Sequence, residues 1–380
     1  MRIDFTTDGT NAYALQIATP SLGDHSYIVV VEGEAAAIDI QRDLDRFDQI
    51  LGGIDASLVA VLETHIHNDY VSGGKRLADA AGATYVLPAN SDAPYDHRAV
   101  DDADRIEVGS WWLRAMHTPG HTFNHMSYVL ESPSGPVAVF SGGSMLVGAV
   151  GRSDLLGPDH TDALLAHQFA SVHRIADELL DESVVAPTHG SGSFCSASTV
   201  ADSTSTIALE RGRNPVLLAP NVEVFSAGQK AGYKAYPTYY RHMAPANLEP
   251  LGAPPGEPLE VILSLDAIGD TTVVDVRDFE QYAAGHLAGS ISIPLSNDTA
   301  VYLGWVRPWN EPVVLVGTHE RADEVRRQLS RIGWDAVVGR IEPDHLGDLA
   351  ESLVETDAIS WPDVEPLGPG IVDVRDPIEH

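Results

Sequence analysis

A chain of 380 residues has room for two or three domains, and 44% apolar against 21% charged residues, with 33 Gly and 24 Pro, is the composition of folded domains joined by turns. Its 55 Asp and Glu against 23 Lys and Arg leave a formal charge of -32, a field that repels nucleic acid and anionic membrane surfaces. A single cysteine, Cys195, excludes an internal disulfide framework and a cysteine-based zinc cluster, and no stretch approaches the ~18 apolar residues of a membrane span. The expectation is a soluble cytoplasmic protein with neither nucleic acid nor membrane as partner; a homo-oligomer is left open.

Up to residue 249 short β-rich runs, such as Tyr27 to Glu32 and Leu58 to Leu62, alternate with helical patterns and predict one α/β domain. The buried-strand pattern Val59 to Glu63 delivers the chain into Thr64-His65-Ile66-His67-Asn68-Asp69-Tyr70, ahead of a helix from about Lys75. Imidazoles at i and i+2 in extended backbone project to one side, and a carboxylate at i+4 can join them, a donor set suited to a divalent metal. His117-Thr118-Pro119-Gly120-His121 follows the strand Trp111 to Met116, and Pro187-Thr188-His189-Gly190 follows Val184-Val185-Ala186. Three strand-end histidine motifs in one domain are hard to assign to packing.

Pro/Gly-rich stretches at 250–258 and 361–370 read as linkers. The segment 259–358 between them has strands at Thr272 to Val276 and Val313 to Val316 and a charged helix from Arg321 to Ile332, which predicts a small α/β domain with a parallel sheet. The string Val274-Asp275-Val276-Arg277-Asp278 recurs as Val372-Asp373-Val374-Arg375-Asp376. Residues 371–380 are therefore expected to start a second unit of the same kind, truncated relative to the natural protein.

The elements His65-x-His67-x-Asp69, Pro119-Gly120-His121, the strand ending Phe140-Ser141-Gly142 and the late His189 resemble the metallo-β-lactamase fold family over about 1–249. The resemblance implies an α/β fold class, an αββα sandwich whose strand-end loops supply metal ligands. Phe140 to Asp154 is most similar to the persulfide dioxygenase and glyoxalase II branch, and the whole architecture to persulfide dioxygenases fused to rhodanese domains. By that resemblance His65, His67 and His121 form a first metal site, and Asp69, a His at 70, a bridging Asp at 143 and His189 a second. This sequence has Tyr70 and Gly143 at those places, which disfavours a binuclear hydrolase and leaves one divalent metal, Fe(II) or Zn(II). In the persulfide dioxygenases the resemblance places iron on the equivalents of His65, His121 and the carboxylate missing at 143. Asp69 is the candidate base and a further ligand, and Arg152 and Tyr70 are candidate substrate contacts. Pairing of Arg152 with Asp154 is the competing reading. His117 reads as structural, His125 as a neighbour of the site or a core residue, and Cys195 as buried.

Val273 to Asp278 with Tyr282, Gly285-His286-Leu287, Gly289 and Ile293-Pro294-Leu295 resembles the opening of a rhodanese domain, its Asp275 and Arg277 implying a structural ion pair. Sulfur transfer in that family needs a cysteine thiolate at the end of the central strand. Gly317 occupies that position, four residues before Arg321, which leaves anion binding, docking or interdomain packing. The functional expectation is a metal-dependent enzyme of sulfur metabolism acting on a low-molecular-weight thiol persulfide. The alternatives are a mononuclear zinc thioester or ester hydrolase of the glyoxalase II type and a catalytically degenerate binding or scaffold protein.

Overall fold

Period-two alternation along the strands decides the layering. In the third strand Tyr27, Val29 and Val31 face one apolar cluster while Ile28 and Val30 face another. The computed structural model describes residues 1–357 except 8, 197–199, 250 and 350–352; the expected linker at 361–370 and the expected strand start at 371–380 lie outside the described residues. The chain divides into two compact units. The first comprises Met1–Glu257 with Ser296–Glu311 and Val325–Ala336, and the second Pro258–Leu295, Pro312–Glu324 and the described residues from Val337.

The first unit opens with a seven-stranded sheet of β1 (Arg2–Thr7), β2 (Thr10–Thr19), β3 (Asp24–Val31), β4 (Glu34–Ile38), β5 (Ser57–Leu62), β6 (Thr84–Pro88) and β7 (Arg98–Val100), in that order. Its first four strands are antiparallel and its last four run parallel. A second sheet uses β8 (Arg105–Val108), β9 (Trp111–His117), β10 (Met126–Ser132) and β11 (Gly135–Gly142). After a short hairpin of β12 (Met145–Leu146) and β13 (Ala149–Val150), β14 (Val184–Pro187) and β15 (Ser205–Thr206) complete it in the order β15-β14-β11-β10-β9-β8.

Tyr27 and Leu62 from one sheet meet Trp111, Leu113, Tyr128 and Phe140 from the other in the central core. The outer face of the first sheet is covered by α1 (Asp45–Gly52) and α2 (Gly74–Ala81) through Phe47, Leu77 and Ala78. The outer face of the second is covered by α3 (Pro158–Glu178), followed by α4 (Ile207–Arg213), α5 (Pro215–Leu218) and α6 (Val222–Gly232), through Leu165, Val172, Ile175 and Phe225. This is the expected αββα sandwich. A further helix, α7 (Tyr240–Leu248), ends the continuous part of the unit. The segment 325–336 is fastened to it by charge pairs, the buried pair of Arg331 with Asp43 at 2.8 Å and the half-buried pair of Arg42 with Asp335 at 2.7 Å.

In the second unit α8 (Leu265–Ile268), β16 (Thr272–Asp275), α9 (Phe279–Ala284) and β17 (Ile291–Ser292) lead to β18 (Val313–Val316) and, later, β19 (Val337–Ile341). The sheet order is β17-β16-β18-β19 and every pairing is parallel, as the apolar runs predict. Ile262, Val314, Val316, Ile341 and Leu346 form its core. The helix α10 (Thr299–Val306) falls in the first unit, and α11 (His319–Arg331) begins in the second. Among the described residues no helix is long and apolar enough to cross a membrane.

Candidate metal centre

The ends of β4, β5, β9, β11 and β14 converge, and polar residues that leave these strands have only one another to bond. Asp39, in the left-handed region at φ +54°, follows β4 directly and is fully buried. Its carboxylate accepts the Thr64 amide N–H at 2.7 Å and the Thr64 hydroxyl at 2.8 Å, and also the hydroxyl of Thr188. Burial works against its charge, but His67 and these donors outweigh it and hold Asp39 below the usual carboxylate range.

Hydrogen-bond partners then fix each imidazole tautomer. Because the Thr64 hydroxyl donates to Asp39, its oxygen accepts from His65 Nδ1, 2.9 Å away, and His65 Nε2 is left bare. The Arg152 carbonyl can only accept, so His121 Nδ1 at 2.7 Å carries the proton and Nε2 is bare. His189 Nδ1 lies 2.9 Å from Asp24 Oδ1, again leaving Nε2 bare. His67 is reversed: its Nε2 lies 3.0 Å from Glu63 Oε2 and 3.2 Å from Asp39 Oδ1, so Nδ1 is the unpaired nitrogen. Neither oxygen of Asp69 makes a hydrogen bond, Oδ2 lying 3.3 Å from His189 Nδ1.

Five buried side chains thus have polar atoms without a hydrogen-bond partner, at a cost of about 1–3 kcal/mol for each orphaned group. Donor atoms of His65, His121 and His189 lie within 4.8 Å of one another, and so do those of His67, Asp69 and His189. The grouping differs from the resemblance-based division, since His189 is common to both triads. The parallel pairing of β14 with β11 brings it across from His121, with ring centroids 5.1 Å apart. Burial and mutual repulsion hold His65 and His121 well below the usual imidazole value, the neutral state a metal ligand requires. His67 is the exception, since Asp39 and Glu63 overcome burial and raise it well above that value. Burial, joined by the charge of Asp39 in the case of Asp24 and by that of Asp24 in the case of Asp69, pushes both carboxyls up to about 7.

Gly143 lies against this cluster. A Cβ there would fall 2.6 Å from His121 Cγ, and its N–H donates to His125 Nε2 at 2.9 Å. His125 therefore carries its proton on Nδ1, facing the Thr118 hydroxyl at 3.0 Å, and burial lowers it to about 3. A carboxylate at 143 does not fit with His121 in place.

Comparisons with known proteins follow the same division. Residues 260–340 match the rhodanese-like domain family. A metallo-β-lactamase from Staphylococcus aureus is similar with a TM-score of 0.79 at 26% identity, covering 87% of this chain and 98% of that one. This chain joins a metallo-β-lactamase fold to a rhodanese-like domain. ETHE1 from Myxococcus xanthus is similar to this metallo-β-lactamase-fold protein with a TM-score of 0.54 at 26% identity, covering 62% of this chain and 97% of ETHE1. A hydroxyacylglutathione hydrolase of Pseudomonas putida is 35% identical over 106 residues, 28% of this chain and 40% of the relative. A hydroxyacylglutathione hydrolase-like protein of Bos taurus is 36% identical over 128 residues, 32% of this chain and 66% of the relative. The chain thus spans about two fifths of the length of the first curated relatives it matches.

The other candidates divide. Arg152 pairs with Asp154 at 2.6 and 2.7 Å, and it also lines a cavity of about 490 Å³ with Ser193, Phe194, Tyr233 and Lys234. Tyr70 is fully buried, stacked on His67 at 4.2 Å with its hydroxyl 3.0 Å from Nε2. His117 is exposed, its Nε2 3.0 Å from the Phe123 carbonyl. Cys195 is buried, which pushes its thiol well up. In the rhodanese-like domain Asp275 and Arg277 form the expected buried pair at 2.6 Å, and Arg321 bonds Asp278 at 2.8 Å and the Val276 carbonyl at 3.0 Å. Sequence reasoning missed Asp24, Asp39 and Glu63. One signal was available: threonine precedes histidine in Thr64-His65 and again in Thr188-His189, and both hydroxyls meet on Asp39.

Proposed function

We propose that this chain is a metal-dependent enzyme of sulfur metabolism that oxidises a low-molecular-weight thiol persulfide with dioxygen and water, giving the free thiol, sulfite and two protons, at one His-rich metal site. The observation that carries the reading is the set of buried ring nitrogens without a hydrogen-bond partner on His65, His67, His121 and His189, beside the Asp69 carboxyl. Those five residues would hold the ion, and imidazole with carboxylate suits Fe(II) as well as Zn(II). Bound there, iron would supply redox chemistry toward dioxygen and zinc a Lewis acid. The chain's own residues set the proton positions, through Thr64, the Arg152 carbonyl, Asp24 and Glu63; burial keeps His65 and His121 neutral, while His67, raised by Asp39 and Glu63, would release its Nδ1 proton on taking up the ion. Asp69, if not taken up as a ligand, would accept a proton.

The cavity beside Arg152 has the size for a small thiol carrier, and Arg152 links it to the site because its carbonyl receives the His121 N–H. The rhodanese-like domain and the likeness to ETHE1 support sulfur chemistry. Identity with hydroxyacylglutathione hydrolases favours a second reading, a mononuclear zinc thioester hydrolase with Asp69 as base. The lack of room for a carboxylate at 143 supports a mononuclear site under either reading.

Elemental analysis of protein purified anaerobically without added metal, repeated on His121→Ala, tests the reading. The expected result is about one iron per chain in the wild type, its loss in the variant, and persulfide-dependent O2 uptake. Zinc with thioester hydrolysis transfers the conclusion to the second reading. A metal-free wild type removes both.

A further inference from the structure

The segment from His67 to Ser72 carries two of the five donors yet has no helix or strand of its own. Its residues are almost all buried, so its peptide groups must be satisfied by something other than water. One distant side chain does much of this. Asn247, on α7 and 7% exposed, donates from Nδ2 to the His67 carbonyl at 3.0 Å and to the Tyr70 carbonyl at 2.9 Å, while its Oδ1 accepts the Ser72 N–H at 2.7 Å.

All three polar functions of the amide therefore act on this one loop. The orientation admits no flip, because two carbonyls need an N–H and the Ser72 N–H needs an oxygen. Other anchors hold the far end: Val71 N–H donates to the Arg331 carbonyl at 2.7 Å and Gly73 N–H to that of Ile40 at 2.8 Å. Asn247 grips the backbone of His67 itself, and its two carbonyl contacts bracket Asp69. The end of α7 is fixed in turn by the Tyr95 hydroxyl, which donates to the Asn247 carbonyl at 2.9 Å.

We propose that Asn247 is a positioning residue of the metal centre, placing His67 Nδ1 and the Asp69 carboxyl where they can share an ion with His189. The inference rests on the metal-centre reading above. It adds a determinant of metal affinity that lies 180 positions from His67 in the sequence.

Titration of the metal-free full chain with Co(II), followed by the visible absorption of the bound ion, tests it on wild type, Asn247→Asp and Asn247→Ala. Asn247→Asp is isosteric and keeps the acceptor for Ser72, but it turns oxygen toward the two carbonyls. The expected result is a fold retained by circular dichroism, a Co(II) affinity about 10- to 100-fold weaker and an altered absorption envelope, neither of which a merely structural role would move. Wild-type affinity and spectrum in a folded variant overturn the inference while leaving the metal centre intact. A wild type that takes up no cobalt removes the metal-centre reading and this inference with it. Should neither variant fold, amide exchange in the wild type decides, because linkage requires cobalt to increase protection at Ser72; exchange unchanged by cobalt overturns the proposal.

Discussion

Two glycines stand where family resemblance places a reactive side chain, and their surroundings differ. Around Gly143 four imidazoles and a carboxyl are left with buried polar atoms that have no hydrogen-bond partner. Around Gly317 the named groups are paired: its own N–H donates to the Ile341 carbonyl at 3.1 Å, and Arg321 is taken up by Asp278 and the Val276 carbonyl. Loss of one residue therefore has opposite meanings in the two places. At the metal centre the remaining groups still require a ligand, since buried donors and acceptors are not left unpaired without cost. In the rhodanese-like loop Gly317 and Arg321 are already paired, and with Gly317 at the cysteine position Cys-persulfide chemistry has no nucleophile, as the sequence indicates.

The sharpest way to break this comparison is to put the carboxylate back. In Gly143→Asp the new Cβ falls 2.6 Å from Cγ of the fully buried His121, so the ring must move. Overpacking of a buried site costs about 1–3 kcal/mol, and here the upper end is expected because the neighbour is a ring held by the Arg152 carbonyl. Denaturant unfolding and Co(II) titration should show lower stability and weakened metal binding. Two tightly bound metals per chain with unchanged stability would mean that Gly143 is a lost bridge rather than a packing requirement.

The matching test at the other glycine has a smaller expected effect. A Cβ at 317 meets Val276 Cγ2 at 2.8 Å, the end of a side chain that can give way. Gly317→Cys is expected to cost about 1–2 kcal/mol, and Val276→Ala in the same chain to recover part of it. The wild type should show no transfer of sulfur from thiosulfate to cyanide. Activity in Gly317→Cys alone would show that the loop retains a working anion cradle despite its closed hydrogen bonding.

What the sequence made legible, and what it hid, follows from the range of the interactions. The sandwich could be read because alternation is local: Tyr27, Val29 and Val31 on one face and Ile28 and Val30 on the other are visible in a five-residue window. The ligand histidines could be read because each follows an apolar strand. Their supports could not. Asp39 meets Thr64 and Thr188 only through the pairing of β4 with β5 and of β11 with β14, and Asn247 reaches His67 only once α7 is packed. Assignment of 296–311 and 325–336 to the first unit likewise rests on tertiary pairs such as Arg331 with Asp43, and no local pattern announces it. Tyr70, a candidate substrate contact by its position in the sequence, has its ring buried against His67, a placement no local pattern shows.

The comparison also has a pH signature, which is the smallest effect. His125 titrates at about 3 in the folded chain against 6.5 for an ordinary imidazole, because burial disfavours the cation. Below pH 6.5 the unfolded chain takes up a proton at this residue that the folded chain refuses, so stability falls as the pH is lowered toward 3 and is unaffected above 6.5. The contribution is about 1 kcal/mol per pH unit within that window. Asp24 and Asp69, raised to about 7, act in the opposite sense, stabilising at low pH and losing that contribution as pH rises through 7. Total stability against pH is therefore a poor readout, and the difference between metal-free wild type and His125→Gln is the right one, because the carboxyl contributions cancel. The wild type should lose stability faster than the variant between pH 6.5 and 5, measured by denaturant unfolding. Parallel curves would mean that His125 takes up its proton in the folded state, contradicting the tautomer that Gly143 N–H and Thr118 impose and, with it, the neutral imidazole cluster on which the metal centre depends.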